Sequence, residues 1–266
     1  MDDVVREQLC FTLSARAERA RWRFDDIPWD QIDPGKAPDW LRALVRDVAF
    51  SELTTTSATR RFLDELADDT DFTQWISVWF FEETRHPQVL LRWLHQLGVS
   101  VDQQFMRRGR ATAPFMKSRF AMLVTNVISE LVASASYARL AERSEEPVLA
   151  LIAKNLSTDE ARHATGFTAY ARRYLERSSE RDADRRDAIK VLYLWFQDHA
   201  NVRHPVSELF ARSADARDTI GPDPIELRDH VFSVIGALLD LPLDGNSDLL
   251  AHVRALGASG LEGRLG

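Results

Sequence analysis

Two copies of one short pattern carry the chemistry of this chain: Glu82-Glu83-Thr84-Arg85-His86 and Asp159-Glu160-Ala161-Arg162-His163. In each, an acid stands before a glutamate, and a histidine follows that glutamate three positions later. On an α-helix that spacing puts Glu and His on one face. A single Glu-x-x-His pair usually marks a solvated, ion-paired surface. Two pairs on facing helices bring two carboxylates and two imidazoles to one point. That is the ligand set of a buried dinuclear metal site, provided two further helices each add a carboxylate.

The chain offers one such carboxylate in each of the right places. Between Gln103 and Ala141 the only acidic residue is Glu130, inside an apolar run from Ala121 to Ala133. Between Val48 and Leu63 the only acid is Glu52, flanked by Val48, Ala49, Phe50 and Leu53. A lone carboxylate on an apolar face is costly unless it is paired or binds metal. Spacing gives an independent check. Glu52 and Glu83 are 31 residues apart with their midpoint at Ala67-Asp68; Glu130 and Glu160 are 30 apart with their midpoint at Glu145. Both midpoints fall at expected turns. In an antiparallel helix hairpin, residues equidistant from the turn lie level, here roughly 22 Å from it.

The candidate metal ligands are therefore Glu52, Glu83, His86, Glu130, Glu160 and His163. Four carboxylates neutralise two divalent cations, and mixed nitrogen and oxygen ligation suits iron or manganese. One or both of Glu82 and Asp159 are expected to accept a hydrogen bond from the metal-bound histidine of the opposite hairpin, fixing its tautomer. Arg85 and Arg162 are expected to balance those acids. Pro87 removes a backbone donor and crowds the carbonyl of Glu83, so a bend is expected at the first motif. The other histidines (His95, His199, His204, His230 and His252) have no such partners and read as surface or core residues.

The elements that must position these groups are all helical, and the fold class is all-α: a four-helix bundle with additional N- and C-terminal helices. A capping segment covers 1–35. Four long stretches follow over Ala37–Ala67, Phe72–Leu97, Ala113–Arg143 and Pro147–Arg177, a core bundle of about 37–177. Three or four further helices occupy about 183–257, broken near His204-Pro205, Gly221-Pro222 and Asp244-Gly245. The tail Gly257–Gly266 holds four glycines and reads as frayed. Period-two alternation is absent, so no strands are expected. No linker divides the 266 residues, so one domain is expected. A net charge of -7 argues against nucleic acid. The single cysteine, Cys10, rules out an intrachain disulfide and all-cysteine iron–sulfur ligation, and suits a cytoplasmic location. Neither a signal peptide nor an apolar run of the ~20 residues that a membrane helix needs is apparent.

With these residues in hand, the chain resembles the ferritin-like di-iron carboxylate proteins, and among them the soluble acyl-carrier-protein desaturases. Those enzymes carry motifs of the EENRH and DEKRH type at these two places. The likeness extends to Trp75-x-x-x-Trp79 before the first motif, and to Ser129-Glu130 through Tyr137-Ala138-Arg139-Leu140-Ala141 before the second. It covers about residues 45–178. It implies two iron ions, O2 as co-substrate, oxidation of an unactivated C–H bond or oxygen transfer, an external ferredoxin-like electron donor and a homodimer. No flavin or nicotinamide fingerprint is present.

The departures from that family matter. Plant-type desaturases have a threonine three residues after the third-helix glutamate, where this chain has Ala133. Bacterial multicomponent hydroxylases place a threonine four residues after it, where Ser134 stands. The resemblance thus makes Ser134 the candidate for proton handling. Pro87 replaces a glycine. Leu90 occupies the radical-tyrosine position of ribonucleotide reductase small subunits, and Leu156 the extra-histidine position of arylamine N-oxygenases.

Three functions follow in order. The first is an O2-dependent oxidase of the desaturase type acting on an apolar acyl chain. The second is a di-iron hydroxylase or N-oxygenase of a small biosynthetic intermediate. The third is a non-catalytic iron-binding protein. Trp75, Trp79, Phe80, Phe81, Phe115 and Phe120 either line an apolar channel or pack the core. Arg107, Arg108, Arg110, Lys117 and Arg119, without an intervening acid, are a candidate docking patch for acyl carrier protein or a carboxylated substrate, the plain alternative being a solvated connection.

Overall fold

The structure, a computed structural model, describes residues 8–110, 116, 118–197, 209 and 214–256. Among these residues all regular structure is helical. The helices are α1 (Leu9–Ala20), α2 (Asp39–Glu52), α3 (Thr55–Glu65), α4 (Thr70–Glu83), α5 (Arg85–Gln96), α6 (Gln103–Gly109), α7 (Arg119–Arg143), α8 (Pro147–Arg177), α9 (Arg181–Gln197), α10 (Ala214–Ile220), α11 (Pro224–Leu239) and α12 (Asn246–Ala255). Short 3₁₀ turns fill the stretch from Phe24 to Lys36. The expected break at His204-Pro205, the tail Gly257–Gly266, and His199 and Phe115 lie outside the described residues.

The first two bundle stretches are each split in two, the first where one continuous helix was expected. The break after Glu52 is a tightened turn: Leu53 N–H bonds to Phe50 O at 3.3 Å and Thr54 N–H to Ser51 O at 3.1 Å, both three residues back. Hydroxyls drive it, since Ser51 Oγ donates to Val48 O and Thr54 Oγ1 to Ser51 O, both at 2.8 Å. The break after Glu83 is the bend expected from Pro87, which has no N–H to offer the Glu83 carbonyl. A third difference is α6, inside the stretch expected to be a loop. Asp102 caps it, accepting from Phe105 N–H at 2.7 Å.

Helix α2 packs on α5 and α3 on α4, while α7 and α8 form a long hairpin. Helices α9, α10 and α11 pack on α7, and α1 lies on α4 and α8. The α7–α8 turn is held by Glu146, fully buried. It caps α8 through Val148 and Leu149 N–H and also accepts from Trp93 Nε1 at 2.7 Å. At the other end Asp71 accepts from the backbone of Leu9 and Cys10 and pairs with Arg173, which fastens α1 to the bundle.

The apolar interior forms two clusters. One holds Phe62, Phe72, Trp75, Val127 and Phe167; the other holds Val48, Leu90, Trp93, Leu140 and Leu156. Along α8 the first cluster takes Phe167 onward and the second stops at Leu156, leaving Asp159 to His163 between them. Close approach of α8 to α4 requires Gly166, where an added Cβ would meet Trp75 Cζ2 at 2.3 Å. Helix α7 is apolar and long enough to cross a membrane by length and composition, with a mean hydropathy of 1.3 over its best window. That exceeds the sequence expectation, but 67% of the window is buried inside the protein. Its apolarity is that of a helix packed on several sides.

Candidate metal centre

The layer between the two apolar clusters is where the six candidate ligands meet. Glu52, Glu83, His86 and Glu160 present one ligand atom each within 4.8 Å of one another, and so do Glu83, Glu130, Glu160 and His163. The two groups share Glu83 and Glu160. The helix breaks make this possible. Glu52 ends α2 and Glu83 ends α4, so the backbone turns at the level of the cluster. Glu130 and the Glu160–His163 pair instead project from the middle of unbroken helices. All six are buried except Glu52, which is intermediate.

The histidines face each other across the cluster, their rings stacked with centroids 5.9 Å apart. His163 Nδ1 lies 2.8 Å from Glu83 Oε1 and 3.5 Å from both Glu130 Oε2 and Glu160 Oε2. His86 Nδ1 lies 3.2 Å from Glu160 Oε1 and 3.7 Å from Glu52 Oε2. Yet Glu83 Oε1, His86 Nδ1 and His163 Nδ1 are buried without a hydrogen bond of acceptable geometry. Buried polar atoms are rarely left so. Three such atoms converging on one point fit a pair of cations.

Behind the ligands, each histidine reaches the acid of the opposite hairpin. His86 Nε2 lies 3.4 Å from Asp159 Oδ2, and His163 Nε2 lies 3.2 Å from Glu82 Oε2. Arg162 bridges those acids, donating to Glu82 at 2.9 Å and to Asp159 at 2.7 Å. Arg85 feels the charges of both Asp159 and Glu82, while its guanidinium stacks 4.1 Å over the Trp22 ring and donates to Trp22 O.

The charges follow this layout. Burial, reinforced by the Glu160 charge, raises Glu83 to about 6. Burial and Glu160 push Glu130 well above the carboxylate range. Burial opposes the charged form of Asp159, yet hydrogen bonding to His86 and the nearby Arg162 hold it at about 2. Burial also opposes charging of His86, but Glu83 and Glu160 override it and raise its pKa well above the ordinary histidine value. For His163 the hydrogen bonds to Glu130 and Glu160 do the same. Without metal, protons therefore take the place of cations.

Several neighbours hold the glutamates in a role that sequence reasoning did not give them. Tyr137 donates its hydroxyl to Glu52 Oε1, Thr55 Oγ1 donates to Glu83 Oε2 at 3.0 Å, and Asn126 Nδ2 donates to Glu130 Oε1 at 2.9 Å. Trp79 Nε1 also donates to Glu130 Oε1, at 3.2 Å. Asn126 and Tyr137 stand four before and seven after Glu130, a face-sharing pattern that could have found them. Trp22, whose Nε1 donates to Asp159 Oδ2 at 2.8 Å across 137 residues, left no signal.

Other expectations shift. Ser134 is engaged with α8, its hydroxyl donating to Ser157 O at 3.0 Å while Ser157 Oγ returns a bond to Ser134 O. Ala133, its neighbour, faces the cavity beside the ligands. That cavity, about 80 Å³, lies between the α2–α3 break and α7, and Ser51, Thr54, Thr55, Asn126 and Ser129 line it with the glutamates. Of the aromatic residues proposed for a channel, Trp79 alone among those described lines this cavity; Trp75 and Phe120 are in the core and Phe81 is exposed. The basic run is divided. Arg107, Arg108 and Arg110 are exposed on and just after α6, where Ser57 Oγ donates to Arg110 O at 2.9 Å. Arg119 pairs with Asp68 at the α3–α4 turn at 3.1 Å. Lys117 lies outside the described residues.

The fold and site together define a helical bundle built around two adjacent carboxylate–histidine pockets that share two glutamates. Residues 49–189, more than half of the chain, match the fatty acid desaturase family, and the chain belongs to it. Membership of that family makes it an oxidoreductase. A mutant of an R2-like ligand-binding oxidase with an aerobically reconstituted Fe/Fe cofactor shares the fold, with a TM-score of 0.57 and 18% identity over 88% of this chain and 93% of the other. No curated protein matches the chain.

Proposed function

We propose that this chain is an O2-dependent oxidase holding two iron ions, the first by Glu52 and His86, the second by Glu130 and His163, with Glu83 and Glu160 common to both. The observation that carries this reading is the sharing of Glu83 and Glu160 between two buried ligand groups. Mixed imidazole and carboxylate donors suit iron, and manganese next. Two iron ions at this place would supply the activation of O2 for attack on a substrate C–H bond. The chain's own part is to hold the imidazoles in one tautomer through Glu82 and Asp159, and to keep bulk water away with the two apolar clusters. Electrons come from a separate ferredoxin-like donor.

Family membership favours an acyl chain as substrate, delivered by acyl carrier protein against Arg107, Arg108 and Arg110. A second reading, hydroxylation or N-oxygenation of a small molecule, is favoured by the cavity. At about 80 Å³ with hydroxyl and amide groups in its wall, it suits a few polar atoms better than a long hydrocarbon. We further take the protein to act in the cytoplasm as a homodimer.

Anaerobic titration with Fe(II) tests the site: two irons per chain are expected, and fewer than two would sink the reading. His163→Ala must lower that number. Turnover with O2, reductant and either acyl carrier protein thioesters or small amines and acids then separates the two substrate classes.

A further inference from the structure

The side chains behind the carboxylates treat the four glutamates unequally. Glu52 has Oε1 taken by the Tyr137 hydroxyl and turns Oε2 to His86. Glu130 has Oε1 taken by Trp79 and Asn126 and turns Oε2 to His163. Glu83 has Oε2 taken by Thr55, and its Oε1 lies 2.8 Å from His163 Nδ1 and 3.9 Å from His86 Nδ1. Glu160 faces the two histidines with different oxygens, Oε1 at 3.2 Å from His86 Nδ1 and Oε2 at 3.5 Å from His163 Nδ1. The two shared glutamates thus present themselves differently: Glu160 turns one oxygen to each histidine, whereas Glu83 turns Oε1 alone to both.

We propose that Thr55 is a positioning residue that makes Glu83 a single-oxygen bridge, by holding Oε2 so that only Oε1 faces the metal positions. This rests on the two-ion reading of the site. Thr55 reaches Glu83 because it opens α3 directly after the tightened turn at Leu53–Thr54, three residues beyond Glu52. A hydrogen bond to a charged carboxylate is stronger than one between neutral groups, and burial of Glu83 shields it from competing water. One shared oxygen draws two cations closer than a full O–C–O bridge does. The Thr55 hydroxyl therefore governs the separation of the two ions, and its place in the cavity wall ties that separation to whatever occupies the cavity.

The test uses the full chain loaded anaerobically with Fe(II), as wild type, Thr55→Val and Thr55→Ser. Metal content is counted, the iron–iron distance is read by X-ray absorption and the ligand field by Mössbauer spectroscopy. All three are expected to hold two irons per chain. Thr55→Val is expected to lengthen the iron–iron distance and change the quadrupole splitting, and Thr55→Ser to restore both. Thr55→Ala provides the same reading should the valine variant fail to fold. A folded Thr55→Val or Thr55→Ala protein with two irons and wild-type distance and splitting would overturn the proposal. Wild-type protein binding fewer than two irons would overturn the site reading, and this proposal with it.

Discussion

At the scale of single residues, sharing is what separates the six proposed ligands. Glu83 and Glu160 belong to both groups, whereas Glu52 and Glu130 belong to one each. Glu160→Ala should therefore abolish binding of both ions, while Glu130→Ala should leave about one per chain, as counted by elemental analysis after anaerobic loading. Asp159 is expected to act through His86, whose Nε2 lies 3.4 Å from its Oδ2. Its replacement by alanine removes the acceptor that sets the imidazole tautomer and leaves Arg162 with one acid instead of two. Loss of such a partner typically weakens metal binding about 10–100-fold, which competition with a chelator would measure. Trp22 loses its own partner in the same variant, so Trp22→Phe is the companion that separates the two contributions.

At the scale of elements, the site depends on where helices stop and how closely they approach. Two of the four bundle helices turn at a ligand, and the causes are local: a run of hydroxyl side chains bonding back to carbonyls after Glu52, and a proline after His86. The other two are unbroken, and α8 must come near α4 and α5. Gly166 permits this, since Trp75 occupies the space a methyl group would need. Gly166→Ala should destabilise the metal-free protein by about 1–3 kcal/mol, the usual cost of overpacking, as read by denaturant unfolding. An unchanged midpoint would mean that α8 can shift away from Trp75 without loss.

At the scale of the whole molecule, the metal-free protein carries a buried polar layer between two apolar clusters, held by protons and by Arg162. Cations should replace those protons. Metal uptake is therefore expected to release protons, because Glu83 sits at about 6 and both histidines above their ordinary range before loading. The sign is fixed by competition: groups protonated in the metal-free state must lose their protons to bind. Affinity should climb as pH rises through 6 and go on climbing above the ordinary histidine range as the two imidazoles lose their protons, and fall in acid, measurable by calorimetry in buffers of different ionisation enthalpy. Binding to the folded state alone also stabilises it, by about 2.7 kcal/mol at a hundredfold excess over Kd. For a chain of this size that raises Tm by roughly 5–10 °C, and chelation should reverse it.

The sequence by itself determined the candidate ligand set and its level in the bundle. Glu–His spacing on a helix, isolated acids in apolar runs and hairpin symmetry are all local quantities. They named Glu52, Glu83, His86, Glu130, Glu160 and His163 before any helix was seen packed against another, along with the all-α class and the bend at Pro87. Only the tertiary structure decided what stands behind those ligands. Trp22 reaches Asp159 from the far end of the chain, Ser134 turns to Ser157 on the neighbouring helix, and Arg85 stacks on the Trp22 ring. Rotation about a helix axis and the path of a capping segment depend on every contact made at once. That is why Thr55, an unremarkable member of a threonine run, emerges only in three dimensions as the group that holds a shared glutamate.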